Sequence, residues 1–222
     1  SKEAIFETAG ALGRGQRIFI TAKLPHYLRV GKDDITELYV FLTNTHDSSE
    51  QTVAALTPIR VVCNNTLKLA LKNCQNAVSF RHTTHVGERL KQGLQLMGIV
   101  NQYKKDISDA FNVMAKRPVT DARLRELIAL AVANGDQMEK LISGERMSRH
   151  FTDLVNDIYD YTLTAPTQQL ETTKGTVFGF YQGITGYFQN VKLYKSDEDK
   201  FSRIGFGTDA GTMKRAFDLC WQ

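Results

Sequence analysis

Cys63, Cys74, His82 and His85 carry metal-ligating chemistry within one short stretch of this sequence. Thiolate sulfur and imidazole nitrogen are the ligands of structural zinc, but such sites group them in short knuckles such as C-x2-C. Only His82 and His85 are that close together. Cys63 continues the apolar run at 59–62 and reads as a small buried hydrophobe. His46-Asp47 is the residue pair of metal phosphohydrolases, a chemistry that needs further His and Asp ligands. In the later part of the chain only His150 is left to supply one. A turn built from turn-forming residues accounts for Asn44–Ser49 as it stands. A metal-dependent enzyme acting on nucleic acid would draw on His46, Asp47, His82 and His85, and it is the lesser alternative.

Other chemical patterns fall short of a catalytic constellation. Ser148 and His150 lack the G-x-S-x-G elbow that exposes a nucleophile. Asp153, Asp157 and Asp160 recur at helical spacing, where a solvated acidic face is the simpler explanation. Gly10, Gly13 and Gly15 surround Arg14, but a phosphate cradle needs a strand before such a loop and a helix after it. Here a strand follows, and no Gly-Lys-Ser/Thr is present. No cofactor is implied. The aromatic series Phe178, Phe180, Tyr181, Tyr187, Phe188 and Tyr194 offers rings that stack on unpaired bases or pack a core, and core packing is the commoner use.

Charge is the more informative signal. Residues 1–100 hold 12 Lys/Arg against 8 Asp/Glu, and residues 101–222 hold 16 of each, so the net charge of +4 lies wholly in the first part. Between Gln51 and Gly87 there is no acidic residue, while Arg60, Lys68, Lys72 and Arg81 fall there with His82 and His85. An acid-free segment in a balanced chain suits a face that binds a polyanion. The alternative is four bases spread over several elements that never converge.

The elements that must position these residues change character along the chain. Gln16–Val30 alternates in the period of a half-buried strand, with Pro25 as a break, bend or edge marker. A turn at Gly31–Asp34 leads to a β-rich stretch at Ile35–Thr43, then strands at Thr52–Leu56, Ile59–Val62 and Ala77–Thr83. Asn64-Asn65-Thr66 caps a short helix over Leu67–Leu71. From Gly87 the period becomes helical, with one long helix to Arg117 before Pro118. Further helices are expected from Thr120 to a stop at Gly135, through Met147–Tyr161, through Val177–Phe188, and from Met213 to Trp221. The fold class is α+β: a single domain over 1–222, with a strand-rich part at 1–86 containing an antiparallel meander and a short helix, then a mostly helical part at 87–222.

The 222 residues are 42% hydrophobic and 23% charged, which excludes a disordered or fibrous chain. No apolar run reaches the roughly 18 residues of a membrane span, so no membrane partner is expected. Three cysteines make an odd number, and Ser1–Gly10 lacks the features of a signal peptide. Both point to the cytoplasm.

LTPIRVVCNNTLKLAL at 56–71 resembles the hallmark of a phage/plasmid-like family of unknown function, number nine hundred and thirty-two in the domain-of-unknown-function series. ETAGALGRGQRIFITAKLP, LTNTHDSS and FRHTTHVGERL fit in order around it. GTVFGFYQGITGYFQN and FGTDAGTMKRAFDL follow the C-terminal pattern more loosely. The resemblance implies a bacterial mobile-element habitat and a family pattern that starts before Ser1. It implies no established chemistry.

Mobile elements encode many proteins that handle their own DNA. The leading expectation is therefore a non-enzymatic nucleic-acid-binding protein, with single-stranded DNA as its partner. Arg60, Lys68, Lys72 and Arg81 would neutralise phosphates, Asn64 and Asn65 would donate to phosphates or base edges, and Arg14, Arg17 and Lys23 would extend the track. The competing reading is an interaction or assembly protein: an inhibitor of a host defence enzyme, or a self-assembling homo-oligomer.

Overall fold

A computed structural model describes residues 5–12, 17–32, 34–45, 52–57, 77–80, 102, 104–196, 199–200, 203–204 and 207–222. The strand-forming sequence of the first part folds into one sheet of five antiparallel strands in chain order: β1 (Ile5–Leu12), β2 (Arg17–Val30), β3 (Asp34–Thr45), β4 (Thr52–Thr57) and β5 (Ala77–Phe80). The helical part follows with α1 (104–115), α2 (Asp121–Val132), α3 (Gly135–Ser143), α4 (Arg149–Thr164), a 3-10 turn (Pro166–Gln168), α5 (Val177–Asn190) and α6 (Thr208–Leu219). The chain is α+β, as its patterning requires.

β1 is a strand that the sequence pattern does not announce. It pairs from Ile5↔Lys23 to Leu12↔Arg17, so a strand lies on each side of the Gly13–Gly15 stretch and no helix N-terminus follows it. Pro25 sits where the β2–β3 register shifts, between Lys23 and Tyr27. A residue without an N–H is tolerated at such an irregularity, and the described β1–β2 pairing ends at Ile5↔Lys23, so among the described residues no strand lies beside Pro25 on that side. Gly31 makes the following turn at φ +61°, a conformation that favours glycine.

Beyond Pro25, α1 lies along this edge of β2. Asn112 presents its amide as a neighbouring strand would: Nδ2 donates to the Arg29 carbonyl (3.0 Å) and Oδ1 accepts from Gly31 N–H (2.9 Å). Ser108 Oγ donates to the same Arg29 carbonyl. On the face beneath, Ala22, Leu28, Val30, Leu38 and Val40 join Ile107, Phe111 and Met114 of α1 in one apolar cluster that continues through α2, α4, α5 and α6. The helical period expected up to Arg117 is seen here over 104–115, with these three residues on its buried face; the earlier part of that expected helix, 87–101, lies outside the described residues.

α5 is the centre of the helical layer, buried at ten positions from Val177 to Phe188. Its glycines weaken the isolated helix, but close packing requires them. A Cβ on Gly179 would fall 1.8 Å from the Thr173 carbonyl oxygen, and one on Gly183 would fall 2.0 Å from Thr162 Oγ1. The same bare face admits the buried Gln168 amide. Its nitrogen donates to the Gly179 carbonyl (3.2 Å) and its oxygen accepts from Gly183 N–H (3.1 Å), the orientation that satisfies both groups.

Helix ends follow their caps. Thr120 caps α2, Ser148 caps α4 and Thr176 caps α5, each accepting from a backbone N–H of the first turn. Arg215 reaches from α6 to donate to the Ala131 carbonyl at the end of α2 (2.9 Å), and Lys200 donates to the Gln189 carbonyl at the end of α5 (2.6 Å). One boundary differs from expectation. Gly135 does not stop α2, which ends at Val132 with Ala133 as its cap; it is the first residue of α3. Asn134 and Gln137 form a capping box there, a start signal that outweighs the glycine.

Candidate nucleic-acid interface

Most of the residues that the charge pattern singles out lie outside the described residues: Arg14, Arg60, Asn64, Asn65, Lys68, Lys72 and Arg81, together with His46, Asp47, His82 and His85. The short helix at 67–71, the strand at 59–62 and Cys63 and Cys74 fall there too. What is described is the frame that carries them. β4 and β5 pair from Thr52↔Phe80 to Ala55↔Ala77, so the acid-free segment leaves one strand and returns on its immediate neighbour. Neither strand bears a charged residue.

Two members of the expected track lie on β2. The backbone of Arg17 pairs with Leu12 and Thr45. Lys23 is not an unpaired cation: its ammonium is bound to Glu37, whose other oxygen accepts from the Tyr39 hydroxyl (2.6 Å). An ammonium already held by a carboxylate is poorly placed to neutralise a phosphate.

The structure brings forward a cluster that charge counting passed over. Beyond Pro25, β2 alternates buried Leu28 and Val30 with exposed Tyr27 and Arg29. Tyr27 is 47% exposed, and Lys104 of α1 places its ammonium 5.9 Å from the centre of that ring, within cation–π range. Lys32 in the adjoining turn and Lys105 on α1 are exposed as well. None of these four cations forms an ion pair with a carboxylate among the described residues. The alternation of Tyr27 and Arg29 was legible in the sequence. The approach of Lys104 depends on Asn112 docking α1 against the strand edge, and no local pattern reports that.

The remaining chemical candidates resolve into structural roles. Ser148 is a cap, its Oγ accepting from Phe151 N–H (3.2 Å). Asp153 pairs with Arg149 (3.7 Å) and Asp157 accepts from the Tyr187 hydroxyl (3.4 Å). Among the described residues no group of three or more His, Cys, Asp or Glu could hold a metal ion. Phe178, Phe180, Tyr181, Tyr187 and Phe188 are buried, which removes them as stacking platforms and places them in the core. Desolvation, with a smaller contribution from Asp157, pushes the Tyr187 hydroxyl up to about 12, and burial does the same to the Cys220 thiol. Such a thiol is no nucleophile.

A second polar cluster is buried. Asp209, 3% exposed, binds Lys192 Nζ through both oxygens (2.7 and 2.8 Å) and accepts from Tyr194 Oη (2.9 Å). Lys192 also lies 5.0 Å from the Phe188 ring centre. This network ties the chain after α5 to the start of α6.

A family described as Domain of unknown function (DUF932) matches the chain over residues 1–204. The chain belongs to the DUF932 family. The match runs through the whole sheet and through α1 to α5, so the Tyr27 cluster, the β4–β5 frame and the glycine face of α5 all lie within the family's span. No curated protein and no solved structure matches the chain. No helix among the described residues is long and apolar enough to cross a membrane.

Proposed function

We propose that this DUF932 chain is a non-enzymatic nucleic-acid-binding protein that holds single-stranded DNA of a mobile genetic element. The observation that carries the reading is the exposed Tyr27 ring beside Arg29 and Lys104, cations with no ion-pair partner among the described residues. An aromatic face next to unpaired positive charge serves both parts of a single strand: the ring stacks a base and the cations meet the phosphates. The acid-free run from Gln51 to Gly87, which contains β4 and β5, supplies Arg60, Lys68, Lys72 and Arg81 as further cations of the first part of the sequence.

Binding of a fluorescent single-stranded oligonucleotide, followed across salt concentrations, tests this. Stacking on Tyr27 contributes about 1–3 kcal/mol, so Tyr27→Ala is expected to weaken binding by about 5- to 150-fold without changing the salt slope. Arg60→Ala with Arg81→Ala removes two phosphate contacts and is expected to lower the slope of log K against log[salt] by about 1.4. Binding that ignores salt, or no binding at micromolar protein, ends the proposal.

A further inference from the structure

A recess of about 470 Å³ opens between the start of β3, the end of α4 and the C-terminal half of α5. Its polar lining includes four carboxamides, of which Gln168 is the one already held between Gly179 and Gly183 and Gln182, Gln189 and Asn190 are the others, together with the Tyr161 hydroxyl and the Asp34 carboxylate. No Lys, Arg or His is among its described lining residues. The volume falls within the range of small-molecule sites, about 300–1,000 Å³. Gln189 Nε2 is buried and has no hydrogen-bond partner among the described residues, although nearly all buried donors in folded proteins have one.

Several of these groups are held in place. Asp34 Oδ2 accepts from Thr172 Oγ1 (2.8 Å), which ties β3 to the turn before α5. Asn190 Nδ2 donates to Tyr161 Oη (3.3 Å). Gly186 lets that hydroxyl lie against α5, since a Cβ there would come within 2.7 Å of it. The lining therefore combines fixed donors and acceptors with one negative charge. A phosphate or carboxylate would meet that charge with no cation among the described lining residues to compensate it. A neutral ring whose edge alternates donors and acceptors suits three carboxamides, each of which offers a donor and an acceptor in one plane. The same side chains read adenine edges in duplex DNA.

We infer that this recess is a binding site for a neutral nucleobase, presented as a free nucleoside or as one unpaired base of a bound strand. The choice of ligand rests on the nucleic-acid reading above; Gln182, Gln189 and Asn190 of the site lie on α5, while its β3 wall reaches the strand pairing beside Tyr27, with Thr36 opposite Leu28. The base contributes its edge to Gln189, Gln182 and Asn190, while its phosphates stay outside with the cations.

The test titrates the full chain with adenosine, guanosine, cytidine and thymidine, with ribose alone, and with the corresponding 5′-monophosphates, by calorimetry. At least one nucleoside is expected to bind at millimolar affinity or tighter, its monophosphate no tighter, and ribose not detectably. Gln189→Leu is expected to weaken that nucleoside at least tenfold. If Gln189→Leu fails to fold, Gln182→Leu carries the same expectation of loss. An oligonucleotide with one abasic position is expected to bind less tightly than its intact parent. The inference is overturned if none of the four nucleosides binds at millimolar concentration, if ribose binds as well as they do, or if the folded variant binds unchanged. Salt-dependent oligonucleotide binding without nucleoside binding would sink this site and leave the proposed function standing. Nucleoside binding without any oligonucleotide binding would do the reverse.

Discussion

Gly183→Ala sets two physical effects of opposite sign against each other. In an exposed helix the change is stabilising by about 1 kcal/mol, because alanine is the better helix former. In α5 the new methyl would lie 2.0 Å from Thr162 Oγ1, 2.8 Å from its Cβ and 2.9 Å from its Cγ2, against an ordinary contact of at least 3.4 Å. Rotating Thr162 does not relieve this, because both branches of the side chain stand close. Rotation also breaks the bond from Oγ1 to the Ile158 carbonyl (2.7 Å). Overpacking of this kind costs about 1–3 kcal/mol, and the lost buried bond about 1 more. After the propensity gain, a net loss of about 1–3 kcal/mol is expected. In urea, with a slope near 2–3 kcal/mol/M, the unfolding midpoint of the full chain should fall by about 1 M. Gly135→Ala is the internal control. Nothing lies within 4 Å of its built Cβ, so it should stabilise by about 0.4–1 kcal/mol. Thr162→Ala together with Gly183→Ala should cost less than the two changes summed, by at least about 1 kcal/mol. A midpoint that rises for Gly183→Ala, or strict additivity with Thr162→Ala, would refute the account of how α4 and α5 pack.

Two further outcomes follow from buried polar groups. Asp209→Ala strands Lys192 without its counter-charge and is expected to destabilise by about 3 kcal/mol, while Lys192→Met with Asp209→Leu recovers most of that; equal losses from the single and double variants in urea would contradict it. Tyr187 and Cys220 are raised to about 12 in the folded chain from ordinary values of 10.0 and 9.0, so the folded state keeps protons that the unfolded state releases as pH climbs. Their contribution is fully present below about pH 9 and is lost as pH rises through 12. Midpoints measured from pH 8 to 11 should fall, and Cys220→Ala should shallow the decline; a flat profile would rule this out.

The fold was legible wherever one element's own period decides it. The turn chemistry at Gly31 and the helical period of Ile107, Phe111 and Met114 match the structure, while the alternation of β2 does so only in part: Ala22, Leu28 and Val30 are buried, but Ile18 and Ile20 on the same side are 37% and 36% exposed. Boundaries were less legible. Gly135 is a stop signal by itself, yet Asn134 and Gln137 turn it into a start, since two reciprocal side-chain bonds satisfy the orphan N–H groups of the new helix. β1 escaped notice because its threonine, alanine and glycine residues carry little period-2 contrast; pairing with β2 makes it a strand.

The residues of the candidate site divide in the same way. Charge distribution along the chain, the acid-free run from Gln51 to Gly87 and the exposure pattern of Tyr27 and Arg29 are one-dimensional properties, readable because neighbours in sequence share an element. The neutralisation of Lys23 by Glu37 required a strand pairing across 14 residues, and the meeting of Tyr27 with Lys104 required α1 to dock along β2 beyond Pro25. The glycines of α5 look like defects to a propensity scale that counts only the helix's own backbone. They are contact surfaces once Thr162, Thr173 and Gln168 arrive from elsewhere. The sequence by itself determined which faces are apolar and where charge accumulates, because those are sums over local residues. Tertiary structure alone decided which polar groups meet, because a contact at 3 Å depends on how distant segments close on one another.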